Sequence, residues 1–221
     1  MTSATAMVVT GVRIDIWADV ICPWCYLGRQ HLRTALADLG GEIEIVHHSF
    51  ELDPTTPRGE TMPTIERLAT RYGMSEAQAV AAQEQMAARA AEAGLTFNLA
   101  GQLWGNSRDA HRLIQLARQR GAQDAMVERL YRAYFTEQRS IFEPDSLAQL
   151  AAEVDGLDSD EVAATLRTDA FEELVVADEA QAHELGVSGV PFFVFERRYA
   201  VSGAQPPEVM KQILERAAAV N

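Results

Sequence analysis

The chain carries two cysteines, Cys22 and Cys25, separated only by Pro23 and Trp24. Thiols at i and i+3 on one helical turn can close a disulfide with little backbone movement, so this spacing points first to reversible thiol–disulfide exchange. Other roles stay open for any such pair: a structural disulfide, half a metal site, or two inert buried thiols. A zinc site wants about four ligands, and the chain holds no second cysteine pair. Nor do the five histidines supply one. His47 and His48 are neighbours in a strand pattern, so their side chains face opposite ways. His31 and His183 have no partner by spacing. His111 shares a helical stretch with Arg108 and Arg112 and is expected at the surface or the core edge, facing a cleft only if that helix caps one. No metal is predicted.

On the first turn of a helix, the unpaired amides and the positive end of the helix dipole would favour a thiolate at Cys22, the form that acts as a nucleophile. Pro23 suits that turn because its missing N–H would have had no partner there. Asp19 stands three residues before Cys22, where it can raise a thiol pKa or assist proton transfer, or serve only as a loop or capping carboxylate. Trp24 either offers an apolar surface to a substrate or packs locally. Pro23 and Trp24 should also tune the couple. About 30 mV corresponds to ~1.4 kcal/mol for two electrons, so one hydrogen bond can reverse the direction of flux.

The elements that must hold the pair are legible on both sides of it. Val12 to Trp17 alternates like a strand; Leu32, Leu36 and Leu39 recur at helical spacing, and Gly40-Gly41 reads as the helix stop. Glu42 to Phe50 is a second strand, and the three together form a βαβ unit with parallel strands. After a turn-rich loop the β signal vanishes for over 100 residues. Helical patterns follow from Pro63 to Tyr72, from Ser75 (whose Ser75-Glu76-Ala77-Gln78 has capping-box spacing), and over 107–120, 124–137, 145–154, 159–166 and 168–185, with 95–105 irregular. The face from Ala79 through Met86 to Ala91 is expected to be core rather than a substrate groove. Pro191 to Phe195 is apolar strand material, Glu196-Arg197-Arg198 a turn, Tyr199 to Ala204 its hairpin partner, and Pro206-Pro207-Glu208 opens a final helix. The chain is thus expected to divide into a loose tail (1–11), an α/β domain in two pieces (12–56 and 167–221), and an inserted helical domain (57–166).

Composition narrows the function classes. With 48% hydrophobic and 23% charged residues this is ordinary globular material, and a net charge of −13 with pI about 4.8 disfavours nucleic acid and anionic membranes. No apolar run approaches the ~20 residues that cross a bilayer, and the first residues lack a basic n-region. The expected location is the cytoplasm, where a lone cysteine pair is catalytic or redox-sensing more often than a staple.

A strand, then Cys22-Pro23-Trp24-Cys25, then Gly189-Val190-Pro191 ahead of a hairpin and a last helix resembles the thioredoxin fold, and the helical insertion resembles its DsbA-like branch. The segments Asp19 to Gly28, Ala110-His111-Arg112-Leu113 and Gly186 to Phe193 resemble the FrnE-like group, relatives of 2-hydroxychromene-2-carboxylate isomerases and kappa-class glutathione transferases. The resemblance implies an α/β thioredoxin fold, βαβ plus ββα, with a large all-helical insertion. It also implies a protein disulfide oxidoreductase, with Cys22 as exposed nucleophile and Cys25 as the more buried resolving thiol. Val190–Pro191 would be a cis bond beside the sulfurs, turning the Val190 backbone toward an extended substrate. Disulfide or dithiol proteins would be the substrates, with no bound cofactor and glutathione as a candidate redox partner; a homodimer stays open. Two departures matter: those isomerases and transferases carry serine where this chain has Cys22, and no further cysteine exists to form a second relay. A glutathione-dependent isomerase or transferase acting on a small aromatic or polyketide-like substrate is the alternative reading. A redox-regulated chaperone-like binder is a third.

Overall fold

The computed structural model describes residues 11–37 and 42–219; the tail expected over 1–11 (apart from Gly11) and the Gly40-Gly41 stop lie outside them. A four-stranded sheet is ordered β2-β1-β5-β6, from strands β1 (Val12–Ala18), β2 (Ile43–Ser49), β5 (Phe192–Phe195) and β6 (Tyr199–Ser202). β1 and β2 pair in parallel with Val12 opposite Ile43, as the βαβ unit requires. β5 runs antiparallel to β1, with Ile16 opposite Phe193, and closes a hairpin with β6. Helices α1 (Pro23–Leu36) and α9 (Pro207–Ala218) cover one face. There Ile14, Ile16, Leu32, Phe193, Phe195 and Leu214 form one apolar core. This is the thioredoxin fold.

Between the two halves lie α2 (Thr64–Tyr72), α3 (Glu76–Glu92), α4 (Arg108–Gln119), α5 (Gln123–Tyr131), α6 (Pro144–Ala151), α7 (Ser159–Arg167) and α8 (Glu172–Glu184). The capping box at Ser75 and Gln78 is present with both of its hydrogen bonds. Two expectations change. The stretch read as devoid of strands contains a small sheet, β3 (Thr61–Pro63) against β4 (Leu103–Gly105), too short to show alternation. The helix expected over 124–137 ends as α at Tyr131 and continues as a π-helical turn, Arg132–Thr136. That wider turn carries Tyr134 and Phe135 into an aromatic cluster with Tyr26, Phe97 and Tyr131, the closest rings 4.7 Å apart.

The helical block does not hang from the sheet as a separate unit. Val20, Ile21, Cys22, Cys25, Tyr26 and Leu27 share one buried cluster with α3 to α7. Arg29, 4% exposed, reaches out of α1 to Asp124 at 2.8 Å and to Glu128, which also accepts from the Tyr26 hydroxyl at 3.0 Å. The cysteines therefore sit where the sheet, α1 and the helical block meet.

The other face of the sheet is covered by α8, which buries Asp15 and His48. Asp15 and Asp178 bracket His48 at 2.8 and 2.7 Å, and the ring stacks on Trp17 at 4.3 Å. Asp178 also accepts from the Ser49 N–H at 2.8 Å and Gln115 Nε2 at 2.6 Å. Burial alone would raise Asp15, but His48 and Arg13 hold it well below the usual carboxylate range. Burial alone would lower His48, but Asp15 and Asp178 hold it above the ordinary imidazole value. The signs differ at the two ends of the scale. His48 contributes stability below its unfolded value of about 6.5, lost as pH rises through its folded value; Asp15 contributes above about 3.9, lost as pH falls through its own. Asp178→Asn should accordingly lower Tm most near pH 5–6, by roughly 3–12 °C for one charge-assisted hydrogen bond, with the gap to wild type narrowing in alkali. Melting curves from pH 5 to 9 read this directly, and a constant difference across that range would contradict it.

Candidate active site

Strand β1 ends at Ala18, the chain turns at Asp19, and α1 begins at Pro23, so Cys22 falls on the N-cap and Cys25 one turn in. The Cys22 carbonyl accepts from the Cys25 and Tyr26 amides at 3.1 and 3.3 Å, closing the first turn. Both cysteines are free thiols. Cys22 makes no side-chain hydrogen bond to the helix terminus; its Sγ donates instead to the Val190 carbonyl at 3.8 Å, across a partly buried contact. The Val190–Pro191 peptide bond is cis. Residues far apart in the chain thus meet at one sulfur.

The expectation of an exposed Cys22 is corrected. It is 3% exposed, against 2% for Cys25. Close packing explains this. A Cβ placed on Gly28 would stand 2.9 Å from Pro191 Cγ and 3.2 Å from Phe193 Cζ, so the absence of a side chain there lets α1 and the Pro191 loop close over the pair.

The two thiols nonetheless differ in setting. Burial pushes the Cys25 thiol well above its ordinary value, and the hydrogen bond and charge of Cys22 add to the effect. Asp19 is fully buried and braces the loops around it: its Oδ1 accepts from the Ile21 N–H at 3.3 Å and its Oδ2 from the Leu52 N–H at 2.7 Å. It also acts on Cys25 through its charge and a backbone hydrogen bond, and its carbonyl accepts from the Tyr131 hydroxyl at 3.3 Å. Loop-bracing and electrostatic roles, separate alternatives in the sequence, coincide in one carboxylate.

Trp24 is 42% exposed, with the Arg89 guanidinium 5.4 Å from its ring. With Ile21, Pro23, Ala82, Met86 and Trp104 it lines an apolar groove of about 260 Å³. The Ala79–Ala91 face was expected to be core only. Ala79, Met86 and Ala90 are buried, yet Met86 and Ala82 also form the groove wall, so one face serves both ends. Methionine suits a wall that must fit varied shapes.

Sequence reading placed three residues of the site incompletely. His111, expected at the surface or the core edge and facing a cleft only if its helix capped one, is 1% exposed and lies 3.4 Å from Asp19. Glu51 and Arg108 pair beside it at 2.5 Å. Only the Ala110-His111-Arg112-Leu113 segment flagged this region, since a helical period cannot say which neighbour a polar face will meet. Among the described residues no three His, Cys, Asp or Glu side chains gather as metal ligands, and no helix is long and apolar enough to cross a membrane.

A family model described as a DSBA-like thioredoxin domain matches residues 13–215. A probable DsbA oxidoreductase from Streptomyces coelicolor is 41% identical, covers 96% of this chain and 92% of its own, and superposes with a TM-score of 0.90. The cytosolic disulfide reductase DsbM from Pseudomonas aeruginosa shares the fold at 18% identity and TM-score 0.66, covering 95% of this chain and all of its own. A 2-hydroxychromene-2-carboxylate isomerase does so at 17% identity and TM-score 0.68, with coverages of 92% and 95%. No curated protein matches the sequence.

Proposed function

The chain belongs to the family of DSBA-like thioredoxin domains, and from that premise we propose that it is a cytoplasmic thiol–disulfide oxidoreductase working through Cys22 and Cys25 alone. The observation that carries the proposal is the asymmetry of the pair. Cys22 sits at the helix N-cap against a partly buried carbonyl, while Cys25 lies one turn in with its proton held tightly by burial and by Cys22.

In the reductive direction the Cys22 thiolate attacks one sulfur of a substrate disulfide. A Cys22–substrate bond forms, and the other substrate sulfur leaves as a thiolate. Cys25 then loses its proton and attacks Cys22 Sγ; the Cys22–Cys25 bond forms, and the second substrate sulfur departs with the electron pair. Oxidation of a substrate dithiol is the same sequence reversed. Asp19 is the proposed acceptor of the Cys25 proton, being a buried carboxylate within the electrostatic reach of that sulfur. An extended substrate lies along Val190–Pro191, taking over the carbonyl that the resting Cys22 thiol occupies. The groove beside Trp24 takes an apolar side chain flanking the substrate sulfur.

The test uses the reduced chain, excess insulin and no other reductant. One insulin disulfide should be consumed per chain, and peptide mapping should find Cys22 bonded to Cys25. A chain that stays a dithiol, yet turns over a small aromatic substrate with glutathione, would contradict the proposal and favour an isomerase instead.

A further inference from the structure

Exchange between two thiols needs no histidine, yet the fold buries one against Asp19. The contrast with the chain's other buried histidines is informative. His48 has both ring nitrogens paired, at 2.7 and 2.8 Å, and His47 is bonded to Asp124 at 3.0 Å. These are satisfied structural groups. His111 is not: its Nε2 lies 3.4 Å from Asp19 Oδ1, an ion-pair distance, without the geometry of a hydrogen bond. Glu51, the second residue after β2, is 6% exposed and similarly incomplete. Arg108 Nη2 approaches it at 2.5 Å, but neither carboxylate oxygen accepts a regular hydrogen bond. Leaving such groups buried and loosely paired is costly, and a redox or catalytic role is one of the reasons native folds keep them.

The groups facing this row are Cys22 and Cys25 from α1, Tyr131 from α5, Arg108 from α4, Glu172 and Glu179 from α8, and His47 and His48 from β2. Glu179 joins the row to its rim: its Oε1 accepts from the Glu51 N–H at 3.1 Å, and its Oε2 lies 3.5 Å from Arg108.

On the reading that Cys25 resolves the mixed disulfide, we infer that the buried His111–Glu51 pair compensates the proton Asp19 takes from Cys25 by passing one proton outward to the Arg108–Glu179 rim. In that step the Cys25 S–H proton moves to the Asp19 carboxylate and the thiolate attacks Cys22 Sγ. The Cys22–Cys25 bond forms, the Cys22–substrate bond breaks, and the substrate sulfur leaves with the electron pair. His111, no longer facing an anion, gives a proton to Glu51, which releases it to solvent past Glu179. No charge is stranded in the interior, and reduction of the disulfide runs the same transfers backwards. Two directions of pKa shift agree with this. Burial would lower His111, but Asp19, Glu51 and Glu179 hold it raised. Burial pushes Glu51 up to about 7, where a carboxylate can both take and release a proton.

The test isolates the resolving step. The reduced chain is mixed with one equivalent of an aryl disulfide, dithiobis-nitrobenzoate. Cys22 releases one nitrothiophenolate on being tagged, and attack by Cys25 releases a second, followed by absorbance. In wild type the second release should quicken with pH through an inflection near 7, because Glu51 must be ionised to accept a proton. In Glu51→Gln that inflection should disappear and the rate at pH 8 fall roughly tenfold, on the low side for loss of a proton-transfer group. His111→Asn should behave alike. If both variants keep the wild-type inflection, or merely slow release by one factor at every pH, the inference is overturned. Glu51→Gln keeps the side chain's size and decides the matter even if His111→Asn does not fold. Absence of a second release in wild type would sink the oxidoreductase reading itself, a distinguishable result.

Discussion

Replacing Cys22 with serine should cut disulfide turnover by at least about 10³-fold, the scale on which losing an essential nucleophile acts. The chain has only two cysteines, and both are at this site, so no other sulfur can take the role. Cys25 cannot substitute for it. Its thiol is pushed up by burial and lies a turn further into the helix, so without Cys22 few thiolates form and little substrate reaches them. Stability should change little, since serine is close to cysteine in size and its hydroxyl can keep the donor role toward the Val190 carbonyl. Turnover falling while the melting curve stays in place separates chemistry from folding. Retained turnover in Cys22→Ser would remove the dithiol from the mechanism.

Replacing Arg112 with leucine should instead leave the chemistry alone and cost about 3–5 kcal/mol of stability, as breaking a buried charged network does. Arg112 is 1% exposed. Its guanidinium donates to the carbonyls of Ala170 (2.8 Å), Thr165 and Thr168, and to Asp109 Oδ1 at 2.7 Å. One side chain of α4 therefore satisfies the unpaired end of α7 and the link into α8, groups with no water to turn to. Leucine would fill part of the volume and leave three carbonyls and a carboxylate without their donor. A fall in Tm of roughly 6–20 °C is expected for a chain of this size. Arg120→Ala is the control: its partner Glu161 is as exposed as Arg120 itself, at 40% and 41%, and the melting temperature should not move measurably.

How much of this was legible in the sequence follows from what each signal encodes. The strand before Cys22, the capping box at Ser75 and the hairpin after Pro191 were readable because local period and turn chemistry determine them. The β3–β4 pair was not, since three-residue strands have no period. Nor was the π-helical turn at Arg132–Thr136, because α and π segments share nearly the same apolar spacing. For the site, Cys22, Cys25, Asp19 and the Val190–Pro191 partner were found, the last through resemblance, as no local rule joins residues so far apart. Trp24 was read as a substrate surface or a locally packed ring and Met86 as core; in the structure both line one groove. His111 was expected at the surface or the core edge because a polar residue on a helix usually faces water. Here α4 packs against α5, α7 and α8, and Asp19, Glu51 and Asp178 supply anions to His111, Arg108 and Gln115 on its buried side. Cys22 was expected to be open, and only the packing across Gly28 shows that it is not.

The central claim, that Cys22 attacks and Cys25 resolves, is tested most directly by trapping. Cys25→Ser, incubated with a disulfide-containing protein under non-reducing conditions, should accumulate a one-to-one covalent adduct through Cys22 that a small thiol releases. The same incubation with Cys22→Ser should yield none. An adduct on Cys25 in the Cys22→Ser chain, or no adduct in either, would contradict the account.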